Sequence, residues 1–237
     1  MTDRKALIQC SEFRSYRRND LVMEADEWTD RMYCVTGGLL RVVARGRAGN
    51  ADVTTDFIRR GDLFHGPVLS DDRYQAVSAL VAALPSSVYL VPVAAVRELC
   101  SKHPEMALGL VDLTLKRMGL LRRQMRRISS LPAAALVSRV LDELTQLAPV
   151  SSGGYDKRIT QSVIASYSGL SREVVNKTMR ELESRGVVRR DGQGIHVGSD
   201  LASTDLEKLS PATDEPSIED SRQRALPRQP DSHGSNN

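Results

Sequence analysis

The sequence predicts an α+β fold: an antiparallel roll of short strands, then one long helix, then a winged helix-turn-helix. Three observations carry this. Short β-branched and apolar runs broken by turn residues fill the stretch from about Leu21 to Val91. A proline-free run of helix formers extends from Pro104 to Leu131, and two capped helices joined at a glycine follow near Ile159–Leu182.

The strand candidates are Met32–Val35, Leu39–Ala44, Asp52–Ile58, Val77–Ala83 and Ser87–Val91, with turn chemistry at Gly37-Gly38, Gly46–Asn50 and Gly61-Asp62. Pro92 opens a short helix, and His103-Pro104 marks a fresh helix start. The long helix spans roughly 40 Å at 1.5 Å per residue. Met118, Leu121, Met125 and Ile128 make one apolar stripe with coiled-coil spacing, and Leu110, Leu113 and Leu120 make a second. Two stripes call for two partners, the roll on one side and a second copy of the chain on the other. Pro132 ends this helix, Ala133–Leu147 forms the next, and Pro149–Gly154 is a loop. Four units follow: a roll over residues 1–103, a dimerisation helix over 104–131, a winged helix-turn-helix over 132–198 and a disordered tail over 199–237. The tail holds four of the ten prolines, is acidic and has no apolar periodicity.

Composition narrows the function. The 237 residues carry a net charge of +3, but Lys116–Arg190 holds fifteen basic residues against six acidic ones. A basic segment that coincides with a helix-turn-helix points to double-stranded DNA. No apolar run is long enough to cross a membrane and no apolar segment follows the charged start, so no membrane partner and a cytoplasmic location are expected. Cys10, Cys34 and Cys100 lack metal-ligand spacing and read as free thiols. No nucleophile–base constellation, phosphate loop or paired-carboxylate motif appears, and the four histidines are scattered, so an enzyme is not expected.

In the helix-turn-helix, Thr160 stands at one cap and Ser171 at the next. Val163, Ile164 and Tyr167 form the inner face of the first helix. Val175, Met179 and Leu182, at i, i+4 and i+7, point the second into the core. Arg172, Glu173, Asn176, Lys177 and Arg180 share its outer face. An Arg there can bond guanine bidentately and a carboxylate can accept from cytosine N4. The competing reading is a solvated face neutralised by an i,i+4 pair between Glu173 and Lys177.

The stretch RITQSVIASYSGLSREVVNKTMRELESRGVV resembles the DNA-binding motif of the CRP/FNR (cyclic-AMP receptor protein / fumarate–nitrate reductase regulator) family. The resemblance runs over roughly residues 20–198. Gly37-Gly38 and Gly61-Asp62-Leu63-Phe64 match glycine turns of that family's cyclic-nucleotide-binding-like roll, and Pro104–Leu131 matches its dimerisation helix. It implies a homodimeric transcription regulator on an inverted-repeat operator, activator or repressor, with RNA polymerase as a further partner. Arg172 and Glu173 become the principal base readers and Lys177 a third contact, where family members often have Arg.

The resemblance departs from the pattern where the family holds cyclic AMP. Nucleotide binders carry Gly-Glu and, about ten residues on, Arg-Ser. Here GDLFHGPVLSDDRYQAVSAL has Pro67 for the acid and Gln75-Ala76 near the Arg-Ser place, with Arg73 as a displaced substitute. Leu121-Arg122 stands where a Thr-Ser pair would meet adenine. Control by cyclic AMP is therefore not expected. His65 reads either as a haem ligand or, more commonly, as a turn histidine bonded to backbone. Arg122–Arg126 and Arg123–Arg127 are like-charge i,i+4 pairs, each costing an isolated helix a few tenths of a kcal/mol. Arg122, Arg123, Arg126 and Arg73 are thus candidate holders of an anion such as a cyclic dinucleotide, against the plainer reading of solvated guanidiniums over the seam. The alternative function is a sensing module for a cyclic dinucleotide or a haem-bound gas that acts through protein partners.

Overall fold

The computed structural model describes residues 2–46, 52–66, 70–151 and 153–198. Pro67, part of the expected Gly46–Asn50 turn and the tail from residue 199 lie outside the described residues.

A first helix, α1 (Thr2–Cys10), precedes strands β1 (Glu12–Tyr16), β2 (Leu21–Met23), β3 (Trp28–Thr29), β4 (Arg31–Gly37), β5 (Leu39–Ala44), β6 (Val53–Arg59), β7 (Leu63–Phe64), β8 (Tyr74–Gln75), β9 (Ala79–Ala82) and β10 (Ser86–Pro92). They form two four-stranded antiparallel sheets, in the orders β1-β10-β4-β7 and β2-β9-β5-β6, plus the ladder β3-β8. Inward residues of both sheets, among them Val35, Leu40, Ile58, Leu80 and Val88, close on one core. Alternation along each strand explains this, since every second side chain points the same way. Sequence patterning located β4, β5, β6 and β10 within two residues. It placed the start of β9 too early, at Val77, because that residue is β-branched; Val77 is 76% exposed in a bend. The strands β3, β7 and β8 are two residues each, too short to show a period of their own.

The helices α2 (Val93–Lys102), α3 (Pro104–Ser130) and α4 (Ala133–Leu147) follow, each entered through the backbone break its preceding residue imposes. Pro92 and Pro132 stand at N-caps, and Pro104 opens α3, where its missing N–H costs nothing. Then come β11 (Tyr155–Asp156), α5 (Gln161–Ser168), α6 (Arg172–Ser184), β12 (Val188–Arg190) and β13 (Gly194–Val197), the last sheet ordered β11-β13-β12.

One feature was not legible in the pattern. The core of the C-terminal unit, built on Val137, Leu141, Ile164, Tyr167 and Met179, continues into Leu39, Phe57, Ala83 and Leu84 of the roll. The two units therefore share an apolar core. By contrast, α3 has a single buried residue, Gln124. The roll was expected to cover the second stripe of α3. It does so only in part, because Leu113 and Leu120 remain more than half exposed and only Leu110 is half-buried.

Candidate nucleic-acid interface

Helix α5 stops because Gly169 takes a left-handed backbone, φ +70°, a conformation that disfavours any residue with a Cβ. The chain then turns through Leu170 into α6. Ser171 caps α6, its hydroxyl accepting from the Val174 amide at 3.3 Å. Thr160 sits at the N-cap of α5, but its hydroxyl makes no cap bond; the backbone carbonyl takes the amides of Val163 and Ile164 instead. The expected side-chain cap at Thr160 is thus corrected to a carbonyl-only start.

Helix α6 buries Val175, Thr178, Met179 and Leu182. Arg172, Glu173, Lys177 and Arg180 are exposed on the opposite face and Asn176 is half-buried between them. The Glu173 carboxyl is held below its usual range by its own backbone amide, then by the Ser171 hydroxyl and the charge of Arg172. An acid in the first helical turn also faces the positive end of the helix dipole. The intrahelical pair between Glu173 and Lys177 does not form: Arg172, Lys177 and Arg180 have no ion pair among the described residues. The basic groups of the face are left without ion pairs among the described residues, while the Glu173 carboxyl is engaged at the start of the helix.

Beside it stands a wing made by β12 and β13. Asp191 organises the tip by accepting from the amides of Gln193 at 2.7 Å and Gly194 at 2.6 Å, and its other oxygen meets His196 Nε2 at 2.5 Å. These bonds, the two amides foremost, push its carboxyl down to about 2. Lys157 bonds the Gly192 carbonyl, and Arg190 pairs with Glu183 of α6, fixing wing to helix. Arg189 and Arg185 are exposed without such a partner among the described residues. Sequence reading counted both among the basic residues but gave them no place; the structure puts Arg185 at the C-cap of α6 and Arg189 on β12 of the wing.

The remaining candidates separate. Arg122, Arg123 and Arg126 are exposed on α3. Of these only Arg123 lines the cleft of about 550 Å³ between α3, the β6–β7 region and α4. Arg73 lies elsewhere, in a hollow with Trp28, Asp30 and Asp72. The four arginines do not gather into one site. His65 has Nδ1 2.6 Å from the Gly66 carbonyl and Nε2 3.5 Å from Thr114, so neighbours engage both ring nitrogens. Among the described residues no cluster of three or more His, Cys, Asp or Glu could hold a metal, the cysteines are free, and no helix is long and apolar enough to cross a membrane. On α3 the stripe Met118, Leu121, Met125 and Ile128 is exposed throughout, Met125 at 71%.

Comparison with known proteins places this geometry. Residues 13–103 match the cyclic nucleotide-binding domain model and residues 137–202 the Crp-like helix-turn-helix domain model. A CRP-like cAMP-activated global transcriptional regulator of Mycobacterium tuberculosis is 26% identical over 188 residues, covering 77% of this chain and 82% of that relative. Among solved structures, FixK2 from Bradyrhizobium japonicum superposes with a TM-score of 0.73 at 21% identity, over 85% of this chain and 98% of that one. The c-di-GMP-responsive global regulator CLP of Xanthomonas campestris superposes with a TM-score of 0.68 at 16% identity, over 83% and 98%.

Proposed function

Because this chain belongs to the CRP/FNR family of helix-turn-helix transcription regulators, we propose that it acts as a homodimer on an inverted-repeat operator, without control by cyclic AMP. The observation that carries the reading is the outer face of α6, where Arg172, Glu173, Lys177 and Arg180 stand exposed beside a wing carrying Arg189. Exposed guanidinium and carboxylate groups on a helix narrow enough for the major groove are the chemistry of base readout. Arg172 and Glu173 read bases; Asn176, Lys177 and Arg180 extend the contact, Ser171 and Thr160 border it, and Arg185 and Arg189 meet phosphates. Dimerisation through α3 supplies the second reader, with half-sites about one DNA turn, roughly 34 Å, apart. As an activator the dimer would have RNA polymerase as its further partner.

Two observations support independence from cyclic AMP. The ring of Tyr74 fills the space a Cβ on Gly66 would need, at 2.0 Å, so the backbone beside Pro67 is packed against an aromatic side chain. The amide of Ala76 is spent on the Glu27 carbonyl at 2.8 Å, and Gln75 bonds the Asp26 carbonyl. A cyclic phosphate needs free amides and a guanidinium in place of its lost hydration. The candidate contacts for an anionic effector are Arg122, Arg123 and Arg126 on α3 and Arg73 in its own hollow.

Arg172→Ala tests the reading. Operator affinity should fall by roughly 1–3 kcal/mol while affinity for random duplex, carried by phosphate contacts, stays near wild type. An unaltered ratio of operator to random binding would remove Arg172 from the base readers. Titration calorimetry with cyclic AMP should show no heat of binding, and micromolar affinity would overturn the second half of the proposal.

A further inference from the structure

The reader unit is hooked onto an open sheet edge. Strand β6 is the outermost strand of its sheet, and edge strands carry backbone groups with no ladder partner. Its register with β5 shifts between Val42 and Val43, whose partners are Asp56 and Thr54, leaving Thr55 as an extra residue. At that bulge the Thr54 amide, on a residue only 1% exposed, donates to Ser166 Oγ of α5 at 2.7 Å. The two hydroxyl oxygens lie 2.9 Å apart, and Ser166 donates to the Asp52 carbonyl at 2.8 Å. Arg41 completes the set by donating to Thr54 Oγ1 at 3.3 Å. The Ser166 hydroxyl thus gives one hydrogen bond and takes two, its full capacity.

The next residue along α5 adds two more ties. The Tyr167 ring meets Phe57 of β6 edge-on, centroids 4.8 Å apart, and its carbonyl accepts from Gln124 of α3 at 3.2 Å. One turn later the chain passes Gly169 and enters α6. Apolar contact with Phe57 fixes how near the reader lies but is non-directional; the hydrogen bonds fix its angle.

We propose that Ser166 is a positioning residue for DNA recognition: its hydroxyl hooks the bulged edge of β6 and so sets the direction in which α6 leaves the body of the protein. The proposal rests on the DNA-binding reading above. An aimed pair of readers gives up less freedom on meeting two half-sites than a loose pair. The hydroxyl is also the acceptor that the buried Thr54 amide needs, whereas the adjacent buried position, Ala165, is apolar.

The test uses the full chain with Ser166→Ala and with Ser166→Ala combined with Thr54→Val. Without DNA, hydrogen exchange at the Thr54 amide should speed at least tenfold in Ser166→Ala. Binding to the operator recovered by selection from random duplex should weaken three- to tenfold, with random-duplex affinity unchanged. Adding Thr54→Val should cost less than a further twofold, because the pair acts as one unit. Unchanged Thr54 exchange would show that the hook does not form, and faster exchange with an unchanged operator-to-random ratio would show that it does not aim the reader; either overturns the proposal. A wild-type chain that preferred no duplex would instead overturn the DNA-binding reading, and the exchange result would still stand.

Discussion

Two consecutive helices, α3 and α4, are both rich in leucine, valine and methionine or alanine, and they meet opposite fates. Five apolar residues of α4 are buried, and four of them, Val137, Val140, Leu141 and Leu144, join the core shared with α5, α6 and the roll. In α3 ten large apolar residues from Met106 to Ile128 are exposed, and the single buried side chain is the polar Gln124. A helix of 27 residues cannot keep such a surface in water without a partner: exposed apolar patches of this extent mark association sites. The difference teaches that α4 belongs to the fold of one chain, whereas α3 keeps an apolar face for the dimer proposed above. Apolar content alone does not distinguish them; the number of faces the rest of the chain can cover does.

The largest expected effect comes from Met125→Glu. In the dimer it places two carboxylates in the seam, a penalty of roughly 3–5 kcal/mol for uncompensated buried charge. Sedimentation should show monomer in place of dimer, with the circular dichroism of the helices retained. A dimer of wild-type stability would move the seam off this stripe. The matched change in α4, Leu141→Ala, should act on the fold itself: a side chain with no exposed surface leaves a cavity costing about 2–5 kcal/mol in chemical denaturation. Denaturation at wild-type stability would mean that α4 is less well packed than its burial indicates.

A residue joining both helices should fall between. Tyr167 donates to Glu143 of α4 at 3.1 Å, and Arg127 of α3 meets the same carboxylate at 3.3 Å. Burial and the neighbouring Glu143 charge raise the phenol well above its ordinary value, so the hydroxyl stays a donor across the working pH range. Tyr167→Phe should lose about 1 kcal/mol of stability and leave dimerisation intact, measured by thermal melting beside sedimentation. The smallest effect is expected on the outer face of α3. Lys116 and Asp112 form an exposed i,i+4 pair at 2.6 Å, and Lys116→Ala should change stability by less than about 0.5 kcal/mol.

Much of this was readable before any coordinates. Proline and glycine punctuated the helices, since Pro92, Pro104 and Pro132 restrict the backbone and Gly169 permits a left-handed turn, and neither effect needs tertiary context. The recognition face was readable because 3.6-residue periodicity separates Val175, Met179 and Leu182 from Arg172, Lys177 and Arg180. What stayed hidden depends on long-range geometry. Ser166 and Thr54 are 112 positions apart and belong to no motif. The two-residue strands β3 and β8 exist through pairing with each other, with little local preference of their own. Thr160 looked like a side-chain cap because its type fits the place, whereas rotamer choice decides whether the hydroxyl engages. Arg73 and the α3 arginines were separate candidates for one anion because charge is visible in sequence and the distance between them is not.

The apolar core shared by the roll and the reader bears on how such a regulator can be rebuilt. Leu39, Phe57, Ala83 and Leu84 form a socket contributed by one unit, and Tyr167 and its neighbours form the plug contributed by the other. A graft that carried residues 132–198 onto a foreign sensor would bring the plug without its socket. The transplanted unit would offer an oily facet to water and to its own copies, and it would be prone to clump. Successful exchange must therefore cut through the roll, taking β6 along with the helix-turn-helix, or rewrite both sides of the joint together.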